Sequence, residues 1–95
     1  MKKGIRRKIE KAIGHEFRIG FSYGVFVDKN KHNIRMKFSG IKEWSKEQET
    51  ALLAIPGVIR VGKSGFYRTE YFNGVGWVQT SRYQGATIYI EKDKY

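Results

Sequence analysis

Residues 64–85 read SGFYRTEYFNGVGWVQTSRYQG, with six aromatic rings in 22 residues, Arg68 and Arg82 among them and glycines on both sides. Asn73-Gly74 between two runs rich in aromatic and β-branched residues is a hairpin signature, with strands expected at about 66–72 and 76–82. If Asn73 and Gly74 are the two central turn residues, Phe72 faces Val75 and Glu70 faces Trp77. One face then carries Phe66, Arg68, Glu70, Phe72, Val75, Trp77 and Gln79, and the other Tyr67, Thr69, Tyr71, Val78, Thr80 and Arg82. Neither face is purely apolar. Large rings pack well on half-buried pleated surfaces, but six exceed what one face of two short strands needs. Tyr67, Tyr71, Trp77 and Tyr83 are the rings expected to remain reachable.

Working outward, residues 86–92 alternate cleanly, with Ala86, Ile88 and Ile90 inward and Thr87, Tyr89 and Glu91 outward. Upstream, Ser45 and Gln48 have capping-box spacing, and Trp44 stands before the cap as a hydrophobic staple. Ala51, Leu52 and Ile55 supply the buried stripe of that helix. Pro56-Gly57 ends it, because proline disfavours helical backbone in the residue before it. Val58, Ile59 and Val61 then open a strand. This stretch, LLAIPGVIRV at 52–61, resembles the helix-to-strand corner of ferredoxin-like domains such as the heavy-metal-associated family. The resemblance covers about a tenth of the chain and implies only the corner's geometry, since that family's metal-binding cysteine pair is absent.

Nearer the N-terminus the period is two. Phe17, Ile19, Phe21, Tyr23, Val25 and Val27 alternate with Arg18, Gly20, Ser22, Gly24 and Phe26, and after the polar DKNK turn Ile34, Met36 and Phe38 alternate with Arg35, Lys37 and Ser39. This predicts a hairpin with one apolar face and one face of small and basic residues. Arg18, Arg35 and Lys37 share that second face with Gly20, Ser22 and Gly24. Residues 2–13, KKGIRRKIEKAI, place Ile5, Ile9, Ala12 and Ile13 on one side of a short helix, about 3–13, closed by Gly14. The predicted order is α-β-β-α-β-β-β-β: one α+β domain over 1–95, an antiparallel sheet with helices mainly on one face and a ferredoxin-like corner.

Nineteen Lys and Arg stand against nine Asp and Glu, a formal charge of +10. Such an excess attracts polyanions and speeds association with them. With no cysteine, disulfides, thiolate metal sites and thiol nucleophiles are excluded. No stretch reads as a signal peptide or a membrane span, so a cytoplasmic location is expected. His15 and His32 form no metal-binding pattern, and GKSG at 62–65 precedes a strand, not the helix that a phosphate loop requires. No metal or cofactor is expected.

These features predict a nucleic-acid-binding protein without enzymatic activity. Phosphates fall to Arg6, Arg7, Arg18, Arg35, Lys37, Arg68 and Arg82, and bases stack on Tyr67, Tyr71, Trp77 and Tyr83. A second reading resembles, in type, the small α+β proteins of phages and mobile elements, anti-CRISPR proteins among them. It is an inhibitor docking on a nucleic-acid-binding host protein, with arginines and rings as the contact residues. A third is a small ribonuclease using Arg60, Lys63, Arg68, Arg82, His15 and Tyr95, although no spacing selects them.

Overall fold

The computed structural model describes residues 1–95, apart from the side chains of 66–68 and 81–83. Helix α1 (Lys3–Ile13) is followed by strands β1 (Val25–Lys29) and β2 (Asn33–Phe38), helix α2 (Lys46–Leu53), and two long strands, β3 (Val58–Phe72) and β4 (Gly76–Glu91). The strand segments expected after α2 are present, run together in pairs into strands of 15 and 16 residues. The sheet is antiparallel in the order β1-β2-β4-β3. Because β2 and β3 both run antiparallel to β4, they are parallel to each other with β4 inserted between them. The β2-α2-β3 passage is therefore a split crossover, the unit that ferredoxin-like sheets also contain.

Both helices cover one face of the sheet. Ile5, Ile9 and Ile13 of α1 and Leu52 of α2 meet Met36, Phe38, Ala86, Ile88 and Ile90 in a single core. Each isoleucine or leucine fully withdrawn from water contributes about 1.5–3 kcal/mol. The anticipated capping box is formed: Gln48 N–H donates to Ser45 Oγ at 3.1 Å, and Ser45 N–H to Gln48 Oε1 at 3.0 Å. The Gln48 amide also donates to the Ile13 carbonyl at 3.2 Å, tying the start of α2 to the end of α1. Trp44 is buried edge-on against Phe38, and its indole N–H reaches the Thr87 carbonyl at 2.8 Å. Ala51, expected in the buried stripe, is exposed.

Two local expectations are corrected. The first strand begins at Val25, not Phe17. Gly20 N–H bonds back to the Val25 carbonyl at 2.9 Å, and a 3₁₀ turn, Phe21–Tyr23, reverses the chain through Gly24. Gly24 adopts φ 73°, in the left-handed region, and a Cβ there would sit 2.7 Å from Ser39 Oγ. Alternation in 17–24 was thus a turn whose small residues happened to fall at every second position. The second correction concerns the long hairpin. Its loop has three residues, not two, with Phe72 opposite Gly76 and Tyr71 opposite Trp77. The extra residue moves Tyr71 and Trp77 onto one face, which the Asn73-Gly74 register had separated.

Strand β2 ends at Phe38, opposite Ala86. Beyond that pair, β3 and β4 have only each other and continue as a two-stranded arm, and the molecule measures 51 × 27 × 21 Å. The branch point is tight. Ala86 N–H donates to the Ile41 carbonyl at 2.7 Å, and a Cβ on buried Gly85 would lie 2.9 Å from the Phe38 carbonyl oxygen. Substituting Gly85→Ala should therefore cost about 1–3 kcal/mol of overpacking. Gly4→Ala, in open space inside α1, should instead stabilise by up to about 1 kcal/mol. Urea unfolding of the two variants checks this, and equal stabilities would show that the branch is not sterically closed.

Candidate nucleic-acid interface

Helix α1 has no acidic residue in its first turn and no side-chain cap. Its apolar side is spent on the core, which leaves Lys3, Arg7 and Lys11 exposed at successive i+4 positions with Lys8 beside them. Cations four apart rise about 6 Å along the axis and repel one another. Those near the N-terminus also oppose the helix dipole. The stripe is thus electrostatically costly for the isolated helix.

Arg6, the neighbour of Arg7 in sequence, is used differently. Its guanidinium donates to the Phe17 carbonyl, stands 5.2 Å above the Phe17 ring, and lies 3.8 Å from Glu10 Oε2. The same carboxylate accepts from Phe17 N–H at 3.2 Å. Arg6 and Glu10 together pin the chain where it leaves α1, which gives Arg6 a structural role beside the cleft it lines.

Past that clamp, Arg18 stacks 5.6 Å over the Tyr23 ring. Tyr23 is 58% exposed and Phe21 87%, with Phe21 resting edge-on against Phe26 at 5.7 Å. Arg6, His15, Phe17, Arg18 and Tyr23 line a cleft of about 600 Å³. His15 also borders a second depression lined by Arg7 and Lys11. The helix stripe therefore runs into the cleft as one surface. Its acids are Glu10, already engaged, and exposed Glu16. Alternation had sent Phe21 and Tyr23 inward. The signal against that reading was the Gly20 and Gly24 pair bracketing them.

On the face of the sheet that the helices leave open, Asp28, Arg35, Tyr89 and Arg60 stand in register across all four strands. Arg35 Nη2 meets Asp28 Oδ2 at 2.6 Å, and Arg60 lies 4.1 Å over Tyr89. The hydrogen bond to Asp28 holds the Arg35 pKa above its ordinary value. Lys37, one row over, is only 9% exposed; burial lowers its pKa, and the charge of Arg35 adds to the effect. Arg35 is thus paired on the open face with a third of its side chain exposed, while Lys37 is nearly covered. Arg18 does not join them, because it lies before β1.

At the arm's tip, Tyr71 is 60% and Trp77 74% exposed, the rings 5.5 Å apart in an edge-to-face pair. Tyr67, Arg68, Arg82 and Tyr83 lie outside the described side chains. Of the residues considered for ribonuclease chemistry, those whose side chains are described are dispersed. Lys63 is 3.7 Å from Glu43, Arg60 is on Tyr89, and Tyr95 is bonded to Lys2 at the start of α1. His15 follows the far end of that helix, about 16 Å further along its axis. Among the described residues no helix is long and apolar enough to cross a membrane. No protein-family model matches the chain, and neither a curated protein nor a solved structure resembles it.

Lys37 gives the open face a measurable signature. Its pKa in the folded chain lies below the ordinary lysine value of 10.5, so between those two values the unfolded chain binds more protons. Stability then rises with pH across that interval. The unfolding free energy of the protein, taken relative to Lys37→Met, should climb as pH approaches the ordinary lysine range. A difference independent of pH would mean that the ammonium is not desolvated.

Proposed function

We propose that the protein binds single-stranded nucleic acid along α1 and into the adjoining cleft. Lys3, Arg7 and Lys11 take backbone phosphates, and Arg18 takes a further one at the cleft mouth. Tyr23 and Phe21 offer exposed ring faces to unstacked bases. A polyanion relieves the mutual repulsion of the helix stripe and its conflict with the dipole, so binding gains where the free helix loses. Bases stack on aromatic faces irrespective of identity, each worth about 1–3 kcal/mol. Sequence preference should accordingly be weak.

The observation that carries this reading is the continuity of the cationic stripe with a cleft whose mouth holds Arg18 over a solvent-facing Tyr23. Ordinary surface lysines would be scattered and would not end in stacked rings. Arg35, paired with Asp28, and Lys37, nearly covered, lie on the sheet face away from α1 and are not part of this proposal.

Fluorescence-anisotropy titration of a single-stranded oligonucleotide at several salt concentrations tests the proposal. Affinity should fall steeply with salt, and removing Lys3, Arg7 and Lys11 together should flatten the slope by about two to three. Tyr23→Ala should weaken single-strand binding about tenfold while leaving the salt slope unchanged. No binding at low salt, or a slope that ignores the helix substitutions, would overturn the reading.

A further inference from the structure

His15 stands where the two halves of the proposed surface meet. It follows the Gly14 cap of α1 and is exposed. It borders both the depression shared with Arg7 and Lys11 and the cleft whose mouth holds Arg18. A strand that takes its phosphates from the helix stripe and lays its bases on Tyr23 passes this ring on the way. None of the roles assigned above uses it.

The ring's bond to its own neighbour decides what it can offer there. Nδ1 lies 3.0 Å from the Glu16 carbonyl oxygen. A carbonyl only accepts, so Nδ1 carries the hydrogen and donates it. In the neutral imidazole Nε2 is then a bare acceptor, and a phosphate oxygen meeting it finds a lone pair instead of a donor. Taking up a proton makes Nε2 a second donor and gives the ring a charge, while the bond to Glu16 stays in place. The tautomer that the backbone selects thus refuses an anion, and protonation reverses this.

The surrounding charges set the direction of the linkage. From α1, Arg6, Arg7 and Lys11 oppose a charge on the ring, and Glu10, already engaged by Arg6 and the Phe17 N–H, favours it. From the segment after the helix, Arg18 opposes it and exposed Glu16 favours it. The rest of the cleft wall, from Tyr23 to Ile41, brings no charged group, and α2 contributes no residue to either depression. Cations prevail around the ring of the free protein, and a phosphate beside it would favour the charged form.

We propose that protonated His15 is a phosphate ligand of this surface, linking the helix stripe to Arg18, and that the neutral ring is not. The inference rests on the nucleic-acid reading above. Binding then takes up a proton, and affinity follows pH across the range of about 5–8 in which imidazole changes charge.

Titration of an oligothymidylate, whose bases stay neutral in that range, tests this at several salt concentrations near both ends of it. Relative to His15→Gln, which keeps the terminal amine and His32, the protein should bind about three- to fivefold more tightly at the acid end, the size of an exposed ion pair, and no more tightly at the alkaline end. Its salt slope at the acid end should exceed that of the variant by about 0.7, the increment for one more phosphate on a single strand. His15→Arg, charged throughout, should keep both advantages at the alkaline end. His32→Gln, in the exposed turn between β1 and β2, should behave as the unsubstituted protein. Equal affinities of the protein and His15→Gln at the acid end, or a pH dependence that disappears with His32→Gln instead, would overturn the assignment and leave the nucleic-acid reading intact. Failure of the protein to bind at low salt at either pH would end that reading and this one with it.

Discussion

Strand β4 is sixteen residues long, and its two neighbours do not accompany it equally. From Ala86 onward it is the central strand of the body, between β2 and β3, with Ala86, Ile88 and Ile90 fully withdrawn from water. Before Ala86 it has β3 alone. The place where β2 departs is fixed by backbone contact, with the Ile41 carbonyl taking the Ala86 N–H and Gly85 leaving no room for a side chain against Phe38. One strand thus makes both a stable core and an extension that the core cannot cover. The segment that forms the cleft is tied to the same end of the sheet, through the Ser39 N–H to the Gly24 carbonyl.

Charge follows this division. The body carries nearly all the cations, and where they have structural work they are paired or stacked: Arg6 on Glu10 and Phe17, Arg35 on Asp28, Arg60 on Tyr89. Lys3, Arg7 and Lys11 have no such assignment in the fold and stand on a helix that would be more stable without several of them. The electrostatic cost on one element and the exposed apolar surface on another are separate imbalances. On the reading proposed above, a polyanion offsets the first.

Elements governed by local chemistry were legible in the sequence. The isoleucine spacing and Gly14 delimit α1, the Ser45–Gln48 pair starts α2, and the alternation of 86–91 assigns the two faces of β4. What failed depended on chain reversal or on distant partners. Glycine and serine at every second position between 18 and 24 imitate a strand, although the same residues permit the turn that forms. In the long hairpin, Asn73-Gly74 marks the bend correctly, but one more loop residue changes every facing pair. Of the candidate site, the cations of residues 2–11 could be read in advance, as could, outside it, the exposure of Tyr71 and Trp77. The division of labour between Arg6 and Arg7 could not, because only the fold brings Glu10 and Phe17 against one of them. Phe21 and Tyr23 are not legible as exposed because the strand-like alternation runs on through the 3₁₀ turn that precedes β1.

Central to this account is the separation of a cationic, ring-bearing body surface from an arm whose few charges nearly cancel. Amide and indole chemical shifts, followed by nuclear magnetic resonance while a single-stranded oligonucleotide is added, test it residue by residue. The account predicts that the largest changes fall on Lys3 through Lys11 and on His15 through Tyr23, with the Trp77 indole unmoved. Changes concentrated at Tyr71 and Trp77, with α1 silent, would contradict it.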